Sequence, residues 1–236
     1  MAKTPSKDIP VESIPADEAR TWWKALMANA CALIVDADIL AQHESYGRAR
    51  SLVGLGMEEL AKARWLYEAG QHQWNKPLGL WGRPPEPSGD VVVPEPLQTT
   101  RRPHAEKLKT AERFASGLGG FWDADRRREY FFPKDLDTFE DSARQLNRDK
   151  QAGFYVDREQ GAITGPLDIG SEGIHELIQH AAQVLEMHLI EDHTRQQDAP
   201  DPSRIDSSQD LHGDILALAH PEEFAAAFGH FEPEGE

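Results

Sequence analysis

Two short runs in this chain carry side chains of the types and spacing that acid-base chemistry uses: MEELAK, with Glu58, Glu59 and Lys62, and HAEK, with His104 and Lys107. Glu58 and Glu59 are neighbours, so on a helix they diverge by about 100° and cannot both face one partner. Glu58 precedes Lys62 by four residues, which reads as a surface pair worth a few tenths of a kcal/mol. Glu59 is the more telling of the two. It shares a stripe at the helical period with Arg48, Leu52, Leu55, Lys62 and Leu66, so charge lies on a face expected to be buried. A buried carboxylate needs a cation, and Arg48, Lys62, His104 and Lys107 are the candidates. Two readings follow: a satisfied polar network that fixes helix register, or a carboxylate positioned for acid-base or metal chemistry.

His104 and Lys107 stand one turn apart. Such a pair supplies a proton carrier and an electrostatic stabiliser for phosphoryl transfer, the equipment of a metal-free ribonuclease. It lies in a basic segment. Between Arg101 and Arg128 eight Lys or Arg face four acids, and Arg101 and Arg102 are the candidate phosphate contacts. The chain as a whole carries a net charge of −16, which excludes general charge-driven binding to nucleic acid. Ten histidines raise the question of a metal, with His188 and Asp192 four apart and His180 two turns earlier. There is no His-Glu-x-x-His run and only one cysteine, Cys31, so no metal site and no cofactor is expected. The absence of a glycine-rich phosphate loop, a nucleophile elbow or a dinucleotide fingerprint argues against a nucleotide-driven enzyme.

Helices must position these groups. Pro15 followed by Asp17 and Glu18 starts a first helix that runs to about His43, with Trp22, Leu26, Ala30, Leu33, Ala37 and Leu40 as its inner stripe. Of its polar residues Asn29, Asp36 and Asp38, Asp36 is the one expected to turn inward. Ser45 opens a second helix to Trp74, making an antiparallel hairpin with the first. The stretch Asn75 to Pro103 is rich in Pro and Gly. It is expected to be exposed and mobile, with no helix and at most a short strand at Val91 to Val93. A third helix covers about His104 to Trp122, with Leu108, Ala111, Ala115 and Leu118 inward. A fourth covers Leu136 to Lys150, with Phe139, Ala143 and Leu146 inward. Residues 153–169 read as an extended excursion, and a fifth helix from Ser171 to His193 buries Ile174, Leu177, Ile178, Ala181, Leu185 and Leu189. The fold class is therefore all-α, an antiparallel bundle. The expected divisions are an arm at 1–14, the helical domain at 15–196, and an acidic, partly helical tail at 197–236 that docks weakly.

The lone cysteine and the lack of a signal-type segment point to a reducing, cytoplasmic location. The best apolar run, Ala25 to Val35, is short of the ~20 residues of a membrane span, so no membrane is expected. Trp22 and Trp23 are adjacent and cannot both face one core. One large ring is left for another surface, which suggests a symmetric homodimer contacting through helical faces.

The segments ANACALIVDADIL, SYGRARSLVGLGMEELAKA, HAEKLKTA and KQAGFYVDREQGAITGPLDI, in that order and followed by an amphipathic helix, resemble the AbiV family of bacterial abortive-infection proteins over about Thr21 to His193. The resemblance implies a HEPN-like antiparallel helical bundle, dimerisation, and growth arrest in anti-phage defence when a phage-encoded trigger protein is sensed. It further implies an effector step on RNA or translation, with endoribonuclease activity in many relatives. By position it picks out Glu58, Glu59, Lys62, His104 and Lys107, together with Tyr155 and Asp157. One departure stands out: no Arg in this chain is followed, after four to six residues, by a His, the usual signature of HEPN ribonucleases. RNA cleavage would have to use Glu59, His104 and Lys107. The alternative is a non-catalytic interaction module whose charged helix face is structural or binds a partner.

Overall fold

A computed structural model describes residues 11–74, 89–98, 104–118, 136–159, 161–196 and 208–228. Among the described residues eight helices dominate: α1 (Ala16–Gln42), α2 (Tyr46–Trp74), α3 (Glu95–Gln98), α4 (His104–Leu118), α5 (Leu136–Ala152), α6 (Ile174–Gln196), α7 (Gln209–Ala219) and α8 (Pro221–Phe228). Four three-residue strands make two antiparallel ribbons, β1 (Ser13–Pro15) with β2 (Asp90–Val92) and β3 (Asp157–Glu159) with β4 (Ala162–Thr164). The fold is the expected all-α bundle with a small extended excursion.

The α1–α2 hairpin is the most extensive helix contact, and α2 runs through the centre, touching α1, α4, α5 and α6. The turn is tight: Ser45 N–H donates to the Leu40 carbonyl at 2.8 Å, and Glu44 takes a positive φ of 59°. The fully buried line on α1 runs through Ala19, Trp23, Met27, Ala30, Ile34 and Ala37; of the expected stripe Leu26, Ala30 and Ala37 are buried, whereas Trp22, Leu33 and Leu40 are only partly so. Trp23 is fully buried, and Trp22 is partly buried and packs on the same core. Neither ring is left over for a helical dimer face. Asp36 is exposed; the buried charge of α1 is Arg20. Helix α1 also contains an 18-residue window long and apolar enough to cross a bilayer, longer than the apolar run read from the sequence.

The second helix departs most from expectation. Its buried face toward α5 is built of small residues, Gly47, Ser51 and Gly54, with Glu58 in line with them. The stripe of Arg48, Leu52, Leu55, Glu59 and Lys62 is exposed or half-buried. Small residues let backbones approach, and here they must: a Cβ on Gly153 would lie 1.9 Å from the Gly47 carbonyl oxygen and 2.1 Å from Ser51 Oγ. A stripe scored by its leucines misses a helix whose closest contacts are made by glycine and serine.

The long connection is only partly as expected. Residues 75–88 and 99–103 lie outside the described residues. Between them Val91, Val93 and Leu97 are buried in the core, and Glu95–Gln98 forms one helical turn. The expectation of an exposed stretch without helix is thus corrected for 89–98. Val91 pairs with Ile14 across the ribbon, and Val93 N–H donates to the Glu12 carbonyl at 2.9 Å. The boundary expected at residue 14 falls inside β1. At the other end, α7 docks on α6 through the fully buried Ile215 and Ala219, with both Gln179 and Gln183 donating to the Ala219 carbonyl.

Candidate functional site

Where α2, α4 and α5 meet, three titratable side chains converge on one carboxylate. Glu58 projects from the small-residue face of α2, its side chain 4% exposed. Lys107 Nζ donates to its Oε2 at 2.6 Å, and Lys150 Nζ donates to its Oε1. His104 Nδ1 lies 2.7 Å from Oε1 and 2.9 Å from Oε2.

Local structure explains each placement. Ser51 Oγ donates to the Lys150 backbone carbonyl at 2.8 Å, satisfying one of the carbonyls that the end of α5 leaves without a helical partner. That bond, with the Gly153 contact, pins the end of α5 on α2. The Lys150 stem then lies over Gly54, where an added Cβ would sit 3.2 Å from Lys150 Cβ. On α4, His104 is the first residue and Lys107 is one turn on, so both reach the same carboxylate. Lys107 turns a cation toward the positive end of its own helix, an unfavourable position that the Glu58 charge offsets.

The electrostatics follow. Burial alone would raise the Glu58 carboxyl, but hydrogen bonds and charge from Lys107 and Lys150 outweigh it and hold it below its ordinary value. Glu58 is an ionised carboxylate in a buried, doubly cationic setting. Lys107 and Lys150 are themselves buried, with side chains 10% and 5% exposed. Only His104 opens outward, with 53% of its side chain exposed. When its Nδ1–H is donated to Glu58, the neutral ring carries its lone pair on Nε2, the atom away from the carboxylate. A carboxylate that orients an imidazole in this way prepares it to take a proton from a group in solvent.

The structure brings Glu58, His104 and Lys107 together and adds Lys150, which the sequence reading did not select. Its signal was present: Ala143, Leu146 and Lys150 follow one another at helical spacing, a lysine on an otherwise apolar stripe. Glu59 is not in this cluster. It points about a quarter turn away and pairs with Lys62 Nζ at 2.5 Å, both half-buried, so the expected Glu58–Lys62 surface pair is replaced by Glu59–Lys62. Arg48 is exposed, with its guanidinium 3.4 Å from Ser45 Oγ. Tyr155 and Asp157 are exposed at the β3–β4 end, and Arg101 and Arg102 lie outside the described residues.

Other buried charges serve packing. Arg20 makes a two-pronged pair with Asp192 at 2.8 and 2.7 Å and lies 4.6 Å over the Trp23 ring. Arg64 reaches Glu191 at 2.5 Å and lies 4.6 Å over Phe114, whose other neighbour is the stacked His188 ring at 3.9 Å. Burial, then the Arg64 charge, hold His188 well below its ordinary value, so it is a neutral core residue. Glu186 accepts from His212 at 2.5 Å and His220 at 2.7 Å, tying the tail to α6. Among the described residues no group of three or more His, Cys, Asp or Glu is arranged to hold a metal ion.

An all-α bundle with a buried carboxylate holding an outward-facing histidine is the class that the geometry defines. The family model of AbiV, a HEPN family, matches residues 18–186, and the chain belongs to that family. Membership places it among proteins of abortive infection and defence. No curated protein and no solved structure matches it.

Proposed function

We propose that this protein is a cytoplasmic effector of anti-phage abortive infection that arrests the infected cell by cleaving RNA, with His104 as general base and Glu58 as the residue that orients it. The observation that carries the reading is the His104–Glu58 contact: a buried carboxylate on Nδ1 and a half-exposed ring. In the proposed step Nε2 takes the proton of a ribose 2′-hydroxyl, and its oxygen attacks the adjacent phosphorus as the bond to the 5′-oxygen breaks. The leaving oxygen takes a proton from solvent water, giving a 2′,3′-cyclic phosphate and a 5′-hydroxyl, and the proton on Nε2 returns to solvent before the next turnover. Lys107 and Lys150 keep Glu58 charged and in place; being buried against it, they act through Glu58. A phage-encoded protein is the proposed trigger.

A second reading, a structural pin without catalysis, draws on the burial of Glu58, Lys107 and Lys150, which ties three helices at one point. The two separate on paired variants assayed for growth arrest, RNA cleavage and thermal unfolding. His104→Ala removes a half-exposed ring, so it should cost under about 1 kcal/mol of stability and abolish arrest and cleavage. Glu58→Gln strands two buried lysines and should lower stability by several kcal/mol under either reading. A His104→Ala protein that folds and still arrests growth excludes the proposed base and leaves the pin.

A further inference from the structure

The β3–β4 ribbon has an edge that the rest of the chain leaves unused. Two residues separate Glu159 from Ala162, so that pair closes the hairpin and is hydrogen-bonded. From there the pairs alternate: Ala162 and Thr164 bond inward to β3, and Ile163 turns its backbone N–H and carbonyl to the open side. Those two groups have no partner among the described residues. Edges are ordinarily guarded by charge, proline or a covering element. Ala162, Ile163 and Thr164 supply none of these, and all three are exposed. Around them Phe154, Tyr155, Val156 and Leu167 expose between 43% and 83% of their surface, so an occupant has apolar groups to meet.

The two faces of the ribbon call for different chemistry. Register sets Asp157 opposite Thr164 on one face and Arg158 opposite Ile163 on the other. From Phe154 to Glu172 four acids, Asp157, Glu159, Asp168 and Glu172, stand against Arg158 alone. We infer that the open edge of β4 receives, antiparallel, an extended segment of a partner protein in which basic and apolar residues alternate. Main-chain bonds to Ile163 hold the segment, as in other cases of strand addition. Its apolar residues align with Ile163, in the row that ends on Arg158 and is closed to cations. Its basic residues align with Ala162 and Thr164, in the face that carries Asp157. The acids disfavour the other occupants: a second copy would bring the same acids and no base of its own on β4, and RNA or an anionic lipid surface would be repelled. Binding here is independent of the chemistry proposed at His104.

Fluorescence anisotropy of the full chain with a short labelled peptide of alternating Lys and Val tests this, with thermal unfolding of each variant alongside. The expected result is binding that added salt weakens, and no binding of the peptide with Glu in place of Lys. Asp157→Lys should weaken binding about tenfold through charge. Ile163→Pro removes the outward N–H without touching the bonds to β3, so it should weaken binding at least about tenfold at an unchanged melting temperature. A second measurement leaves the protein untouched. In the inferred pairing the valines turn their N–H groups to β4 and the lysines turn theirs away, so N-methylation of the valines should abolish binding and N-methylation of the lysines should spare it. Equal loss from both methylated peptides overturns the inference, as does a peptide that Ile163→Pro binds as tightly as the wild type, which would place it on other acids of the chain. Self-association of the free chain, or binding of anionic vesicles, that Ile163→Pro abolishes would assign the edge to another occupant and overturn it too.

Discussion

Asp192 and Glu58 are both carboxylates removed from water, yet their surroundings differ in one respect that matters. Asp192 meets Arg20 through two parallel bonds, with both side chains buried, at 1% and 6% exposure, under the rings of Trp23 and Trp74. Glu58 is buried to a similar degree, but one of its three partners continues into solvent. Burial of charge therefore does not separate structure from chemistry in this molecule. The separation lies in the partner: a guanidinium with no lone pair to offer on one side, an imidazole with an unspent nitrogen on the other.

The largest expected effect tests the first half of that contrast. Asp192→Asn leaves Arg20 buried against a neutral group, and breaking a buried pair costs about 3–5 kcal/mol. In a chain of this length that corresponds to a fall in melting temperature of roughly 6–20 °C. Growth arrest measured well below the new melting point should persist, because Asp192 does not touch His104. A variant that melts within about 2 °C of the wild type would show that the pair contributes little net stability.

An intermediate effect is written in pH. His188 is held well below 6.5 in the folded chain, so below about pH 6.5 the unfolded chain binds a proton that the folded chain refuses. Stability from this group is present above 6.5 and is lost as pH falls toward the folded-state value, at up to about 1.4 kcal/mol per pH unit. Glu58 acts further down. Its carboxyl is depressed, so its contribution is present above about 4.5 and is lost as pH falls through the lower folded value. His180 slopes the other way. Burial lowers it, but the bond to Glu112 prevails and raises it, so its contribution is complete below 6.5 and fades as pH rises. Denaturant unfolding between pH 7.5 and 5 should show stability falling with acid, and His188→Leu should flatten that fall. An unchanged slope in the variant would remove His188 as its source.

Much of the fold was legible in the chain because long helices announce themselves by period. The starts of α1 and α2 follow from Pro15 and Ser45, and the inner residues Leu108, Ala111 and Ala115 of α4 and the inner face of α6 follow from apolar spacing. The site was legible only in part. His104 and Lys107 stood out by type and spacing, but the choice between Glu58 and Glu59 depended on which face of α2 is inside. That face is set by Gly47, Ser51 and Gly54, residues with little hydrophobicity that are buried because α5 comes close. Lys150 was missed for the same reason. Its place on the stripe of Ala143 and Leu146 marked it as inward-facing, but its partner lies ninety-two residues away, and no spacing within α5 names that partner. The docking of Val91, Val93 and Leu97 was also hidden, since a stretch dense in proline reads as loop until a strand such as β1 is found to pair with it.

Two adjacent residues of α2, Glu58 and Glu59, carry the same difference at the closest range. Glu59 and Lys62 sit three apart on α2, each with its side chain 18% exposed, so solvent and salt screen them and the pair is worth no more than about 1 kcal/mol. Glu59→Gln keeps the shape and a hydrogen-bond acceptor for Lys62 while removing the charge, and Lys62 can turn its ammonium to water at little cost. The melting temperature should therefore fall by about 4 °C at most, and growth arrest should be unchanged. Glu58→Gln, one residue earlier, should lose both stability and arrest, because its carboxylate faces two buried lysines and the Nδ1 of His104. If Glu59→Gln folds normally but no longer arrests growth, the working carboxylate is on the half-exposed face of α2, and the contrast drawn between Glu58 and its neighbour is reversed.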